Sequence, residues 1–374
     1  MKPLKRTRRA DQNNVTRACG ALGCLLLGCW FDGDLKHDTG ATPESLDDGW
    51  QVASPEDVGL ASQALAAIHE QLLREDRYRG TLSLLVVKDG KLVWETYLRR
   101  RSDQGAVRNI QSVTKSVTSL VFGIARDQGS IPSLDATLGQ IFPDELVGLD
   151  PRKAAISLRD LLTMRSGIAF HNEDFSVEMW VEKPRQPLHY LLSQPLYADP
   201  GERFYYRDVD PQLIGYALSR LTGESEEQLA QALFAPLGIV NYYWEQGGRD
   251  GIHMAAHGLQ LLPRDLAKIG QLVLERGEWH GQRVVSEEWL ALSTAAQLSP
   301  EQLQADTRQQ QADFGYGYYW WVVPGVGFSA WGHGGQFVLV VPARNLVLVQ
   351  TAFPDTNLPD SDLQSFLDLV QPLL

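Results

Sequence analysis

Ser112 and Lys115 stand three residues apart in the run Ser112-Val113-Thr114-Lys115. On a helix that spacing places both side chains on one face, within reach of each other. A serine hydroxyl attacks poorly until a neighbouring base takes its proton, and a lysine amine is such a base. A helix start also favours the negative charge that develops during attack. Two later segments carry groups suited to the same chemistry. Phe204-Tyr205-Tyr206-Arg207-Asp208 offers phenols and a carboxylate, and Trp331-Gly332-His333-Gly334-Gly335-Gln336 leads into an apolar run from Phe337. Ser and Lys are common residues, and Tyr205 and Tyr206 equally suit a core. The order of the three segments carries the reading, more than any one of them.

In that order they resemble the Ser-x-x-Lys, Tyr-x-Asn and Lys-Thr-Gly motifs of serine β-lactamases and penicillin-binding proteins. Other stretches fit the same family: Leu158 to Gly167, Pro200-Gly201-Glu202-Arg203-Phe204, Leu213-Ile214-Gly215, Pro263 to Gly270 and Phe314 to Tyr318. The resemblance runs from about Val52 to Phe353. It is nearest the class C branch with its esterases, D-amino-acid amidases and 6-aminohexanoate-dimer hydrolases. It implies that Ser112 is acylated, that Lys115 helps take its proton, and that Tyr206 shuttles a proton to the leaving group. The alignment with Phe204 and Leu213 selects Tyr206 over Tyr205. It also implies an oxyanion hole from the backbone N–H groups of Ser112 and Gln336. Gly334 and Gly335 suit a strand edge that a substrate backbone approaches closely.

Two residues depart from the pattern. His333 stands where the third motif has lysine, which removes a fixed cation for a substrate carboxylate. Asp208 stands where the second has asparagine. A carboxylate beside Lys115 favours the charged amine, so more of the proton transfer falls on Tyr206. The alternative is that Asp208 faces solvent or pairs with Arg207. Trp320, Trp321 and Trp331 are candidates for an acyl pocket or for the core, with Trp180 a weaker candidate.

The elements that must position these groups follow from periodicity. Pro55 to Arg74 carries apolar residues at helical spacing. Thr81 to Val87 and Leu92 to Leu98 read as strands around the hairpin signal Asp89-Gly90. From Ser112 the pattern turns helical, with Gly129 as a stop and further helices at Leu158–Met164, Gln212–Leu221 and Glu226–Phe234. Strands return at Gly317–Val323, Phe337–Val341 and Leu346–Ala352, and a last helix runs from about Asp360 to Leu374. The expected fold class is α/β in the α+β sense. One antiparallel sheet is built from both chain ends and flanked by helices, with a mostly helical inserted subdomain at about 125–275.

The leader reads separately. Lys2, Lys5, Arg6, Arg8, Arg9 and Arg17 precede an apolar run, Ala18 to Leu27, too short to span a bilayer. The run ends Leu26-Leu27-Gly28-Cys29, which resembles a bacterial lipobox. Residues 1–28 are therefore expected to be an export signal, Cys29 the lipidated first residue, 29–50 a tether and 51–374 the hydrolase domain. The alternative is an ordinary signal peptide that contains cysteines. Cys19, Cys24 and Cys29 are the only cysteines, so the body has no disulfide framework and no cysteine nucleophile.

Charge excludes other classes. With 34 basic and 46 acidic residues the net charge is −12, the wrong sign for nucleic acid. No Gly-x-Ser-x-Gly surrounds Ser112, against an α/β-hydrolase. No phosphate-binding glycine loop appears, and His253 and His257 lack metal-ligand spacing, so no metal or cofactor is expected. The expected partners are a small-molecule ester, amide or peptide-like substrate, and a membrane through the lipid anchor. The leading expectation is a serine hydrolase exported to the periplasm or outer surface. A D,D-peptidase or β-lactamase, and a catalytically silent envelope lipoprotein, are the competing readings.

Overall fold

The computed structural model describes residues 43–170, 184–247, 249–306, 313–354 and 362–374. Cys29, the leader, most of the tether and Trp180 lie outside these residues.

An eight-stranded sheet is assembled from both ends of the chain. Its spatial order is Gln51–Val52, Lys91–Tyr97, Thr81–Lys88, Leu346–Ala352, Gln336–Val341, Gly327–Gly332, Trp321–Val323 and Gly315–Tyr316. Neighbours pair antiparallel except at one edge, where Gln51 and Val52 run parallel to Lys91 and Leu92. The central strands Gln336–Val341 and Leu346–Ala352 are buried along their whole length, because helices cover both faces. Val338 and Val347 close on Gly270 of the Pro263–Leu274 helix. Phe337, one residue before Val338 and therefore facing the other way, stacks on Phe366 of the Leu363–Val370 helix at 4.6 Å.

Three local expectations are corrected. The first helix spans only Ser62–Arg74, and Glu56–Val58 forms a separate 3-10 turn. The run Gly317–Val323 is not one strand. Gly317 N donates to Trp320 O and Tyr319 adopts φ +66°, so a tight turn separates Gly315–Tyr316 from Trp321–Val323. The Gly327–Gly332 strand had no signal of its own. Ladder pairing on both sides imposes the strand. The last helix is shorter than expected, with Asp362 accepting from Ser365 N at its start.

The helix Val113–Asp127 is buried from Val113 through Ala125. A helix enclosed on all sides needs partners for its polar groups. Thr114 Oγ1 donates to Gln111 O at 2.7 Å and Ser116 Oγ to Tyr319 O at 2.6 Å. Trp289, on the Glu287–Ser293 helix, donates its indole N–H to Ser119 O at 2.8 Å and stacks on Tyr318. The indole lies directly on Gly123, where an added Cβ would fall 2.1 Å from Trp289 Cδ1.

Arg264 ties the N-terminal segment to this body. Its guanidinium pairs with buried Glu95, contacts Asp48 at 3.0 Å and donates to Glu44 O at 2.9 Å. Trp50 returns a bond from its indole N–H to Arg264 O.

Overpacking a close contact of this kind costs about 1–3 kcal/mol. Gly123→Ala is therefore expected to lower the urea midpoint by that equivalent, with the m-value unchanged. An unchanged midpoint would mean that the indole is not seated on Gly123.

Candidate active site

The chain enters the buried helix through a bend. Gln111 adopts φ +51°, a left-handed conformation that costs a non-glycine residue of order 1 kcal/mol or more. Asn109 Oδ1 supports it by accepting from Gln111 N at 2.8 Å. Ser112 follows as the N-cap, the position where a serine hydroxyl ordinarily binds backbone N–H groups. Here the hydroxyl makes no capping bond. It accepts instead from Lys115 Nζ at 2.8 Å.

Lys115 is 1% exposed. Its Nζ donates to Ser112 Oγ, to Asp208 Oδ1 at 2.7 Å and to Ala256 O at 2.9 Å. Three acceptors match the three donors of an ammonium. Burial alone pushes the group toward neutrality. The Asp208 carboxylate and the Tyr206 phenol outweigh it and hold Lys115 above the ordinary lysine value. Removing one partner of such a buried pair costs about 3–5 kcal/mol.

Tyr205 and Tyr206 diverge. Tyr205 N donates to Met164 O at 3.0 Å, and its ring packs on Tyr197 at 5.8 Å. The buried Arg207 guanidinium lies between those rings, 4.5 Å from Tyr197 and 4.4 Å from Tyr205. Three residues on, buried Asp210 accepts from Ser166 N and Oγ. The loop is thus pinned on both sides of Tyr206, whose ring centroid lies 5.0 Å from Lys115 Nζ. Asp208 turns inward to Lys115 rather than to solvent.

His257 was missed as a site residue. Its Nε2 lies 3.9 Å from Asp208 Oδ2. Burial pushes its pKa down, opposed by Asp208 and reinforced by Lys115. Only the tertiary path of residues 253–259 along the buried helix brings it there, and no local spacing signals that path.

The third segment is a hairpin, not the opening of a strand edge. Trp331 and Gly332 end one strand, His333-Gly334-Gly335 form the turn, and Gln336 begins the next. The Gln336–Val341 strand is interior, paired on both sides. Gly334 and Gly335, at φ +76° and +96°, serve the turn. Gly332 permits the approach to the serine: a Cβ there would sit 2.5 Å from Ile110 O and 3.1 Å from Gln111 Cβ. Gln336 is fully buried, exchanging side-chain bonds with Ala352 N at 3.0 Å and Ala352 O at 2.7 Å. That exchange ties the base of the hairpin to the Leu346–Ala352 strand. His333 stands exposed on the turn. Tyr206, Trp321 and Trp331 form a continuous aromatic wall, at 5.5 and 5.4 Å between successive rings. Trp320 is core, fully buried against Phe328.

The family model described as Beta-lactamase matches residues 67–353. Among curated relatives, a "Putative D-alanyl-D-alanine carboxypeptidase" of Escherichia coli O157:H7 is 23% identical over 213 residues, 50% of this chain and 49% of that protein. The match thus spans about half the length of that relative. The 6-aminohexanoate-dimer hydrolase of Paenarthrobacter ureafaciens is 24% identical over 325 residues, covering 82% of this chain and 81% of its own. A solved family VIII carboxylesterase superposes with a TM-score of 0.63 at 18% identity, over 83% of this chain and 96% of that one. With its two-ended sheet and its matched segments in this order, the chain belongs to the Beta-lactamase family, within the superfamily of serine β-lactamases and penicillin-binding proteins.

Proposed function

We propose that the protein is a serine hydrolase that cleaves a carboxylic ester or amide through an acyl-enzyme on Ser112. The observation that carries this reading is the buried chain Ser112–Lys115–Asp208, which ends in a hydroxyl freed from helix capping. A solvated surface pair has no reason to bury an ammonium. The hydrolase and esterase among its relatives support the reaction class.

In this reading Ser112 Oγ attacks the substrate carbonyl carbon. Lys115, held charged, donates to Oγ and orients it. The serine proton passes to Tyr206, acting as general base. The backbone N–H groups of Ser112 and Gln336 hold the tetrahedral oxyanion. Tyr206 returns the proton to the departing alcohol or amine as the C–O or C–N bond breaks. Water, activated by Tyr206, then cleaves the acyl-enzyme and restores Ser112. Gly335 and His333 border the substrate on the hairpin. His333 gives no permanent cation for a carboxylate, so neutral esters and amides suit the site better than cell-wall peptides or β-lactams.

Ser112→Ala is expected to abolish hydrolysis of p-nitrophenyl esters and short amide dimers, and labelling by a fluorophosphonate, while circular dichroism stays native. Turnover retained by this variant would remove Ser112 as nucleophile. Labelling of the wild type by a fluorescent penicillin alone would favour a D,D-peptidase or β-lactamase. No labelling by either reagent would favour a silent binding protein.

Because Asp208 holds Lys115 charged and Tyr206 must supply the base, acylation is expected to rise toward alkaline pH. Asp208→Asn removes the carboxylate that raises Lys115, so the basic limb of the pH–rate profile should move to lower pH. Superimposable profiles on one ester would take Asp208 out of the proton-transfer network.

The proposal extends to export, with Cys29 acylated at the mature N-terminus. The basic leader, the apolar run and Leu26-Leu27-Gly28-Cys29 support it. Mass spectrometry of the membrane fraction should find a diacylglyceryl adduct on Cys29. A soluble product cleaved elsewhere would leave a plain signal peptide.

A further inference from the structure

Glu226 opens the Glu226–Phe234 helix and is fully buried. Its Oε1 lies 2.6 Å from Thr118 Oγ1, which also lies 2.9 Å from Ala255 O. A threonine hydroxyl has one proton, and a carbonyl can only accept. If that proton goes to Ala255, the short contact to Glu226 needs a second proton, and the carboxyl must supply it. The rest of the setting agrees. Glu226 Oε2 has no hydrogen-bond partner among the described residues and lies 3.1 Å from the Cβ site of Gly215. An anion there would be desolvated with little compensation. Burial accordingly pushes the Glu226 pKa up to about 8, against the Thr118 contact. The helix N-terminus favours the anion but contributes less than burial costs.

This carboxyl is wired to the site. Thr118 lies one turn beyond Lys115 on the same face. Ala255 precedes Ala256, whose carbonyl accepts from Lys115. Gln212 holds the same stretch, accepting from Ala255 N at 3.2 Å and donating to His253 O at 2.9 Å.

We propose that Glu226 is a positioning residue kept as a neutral carboxylic acid: it donates to Thr118, Thr118 donates to Ala255, and the fixed Ala255–Ala256 peptide presents its carbonyl to Lys115. Among the described residues, the titratable groups near it are Tyr319 on the turn before Trp321 and the neighbouring Glu227–His253 pair. Ionisation of Glu226 turns the Thr118 proton toward the carboxylate and strips Ala255 O of its donor. The role in positioning rests on the serine hydrolase reading, while the protonation state does not.

Melting temperature against pH tests the protonation state on the full chain. Between the ordinary glutamate range and about pH 8 the folded protein keeps a proton that the unfolded chain has released. Stability therefore falls as pH rises through that window and levels above it. Glu226→Gln keeps a donor to Thr118 and cannot titrate. Its melting temperature minus that of the wild type should grow from about pH 5 to about pH 8, then stay constant. Parallel curves would overturn the neutral acid.

The rate of fluorophosphonate labelling tests the positioning. Glu226→Gln should label like the wild type near neutral pH and faster than it above about pH 8, where the ionised wild-type carboxyl no longer donates to Thr118. Glu226→Ala should label about tenfold more slowly near neutral pH, since small displacements of catalytic groups are costly. An alanine variant that labels at the wild-type rate would overturn the positioning role. A wild type that does not label at all would overturn the hydrolase reading, and the melting curves would still decide the protonation of Glu226.

Discussion

A charged amine with no access to water organises this molecule. Lys115 sits in a helix buried on every side, and an ammonium there is tolerable only with a full set of acceptors. The three come from different parts of the chain. Ser112 lies one turn back, Asp208 begins the Val209–Thr222 helix, and Ala256 lies in the stretch after the short Tyr243–Trp244 strand. Each must arrive within hydrogen-bond distance, so the segments bearing them must be fixed first. Tyr205, Arg207 and Asp210 fix the first segment, and Gln212 and Thr118 the second. A fold without these anchors would leave a buried cation short of partners, at a cost that is a large share of a domain's stability.

The same requirement explains why Ser112 behaves unlike other serines at helix starts. Ser157, Ser225 and Ser286 each accept from a backbone N–H of the turn they begin. Ser112 occupies the equivalent place, but the turn before it is bent by Gln111 and its hydroxyl is taken by Lys115. The helix forgoes a cap, typically worth about 1 kcal/mol, and the hydroxyl stays available to its lysine. Local stability is lower there, as expected where geometry serves chemistry.

Much of this was legible from residue order. The strands Thr81–Lys88 and Leu346–Ala352 announced themselves as runs rich in β-branched residues and leucine, and the Glu226–Phe234 helix by its helical pattern. Ser112, Lys115, Tyr206 and Asp208 were legible because each sits in a segment of fixed pattern. What stayed hidden depends on tertiary partners. Gly327–Gly332 is a strand only because both neighbours pair with it. His257 faces Asp208 because a remote stretch folds along the buried helix. The glycines at 334 and 335 were read as a strand edge, yet they form a turn. Glycine marks unusual backbone without saying which kind.

The Arg264 clamp sets a length scale. Because Glu44 and Asp48 are bound to the body, a leash to an acylated Cys29 would be the chain between Cys29 and Pro43. Fully extended, that stretch reaches about 50 Å at most, about the diameter expected of a globular chain this long. An active site on such a leash would sample only a thin layer of solution beside the membrane. It would meet substrates by their concentration in that layer, whatever their concentration in the bulk.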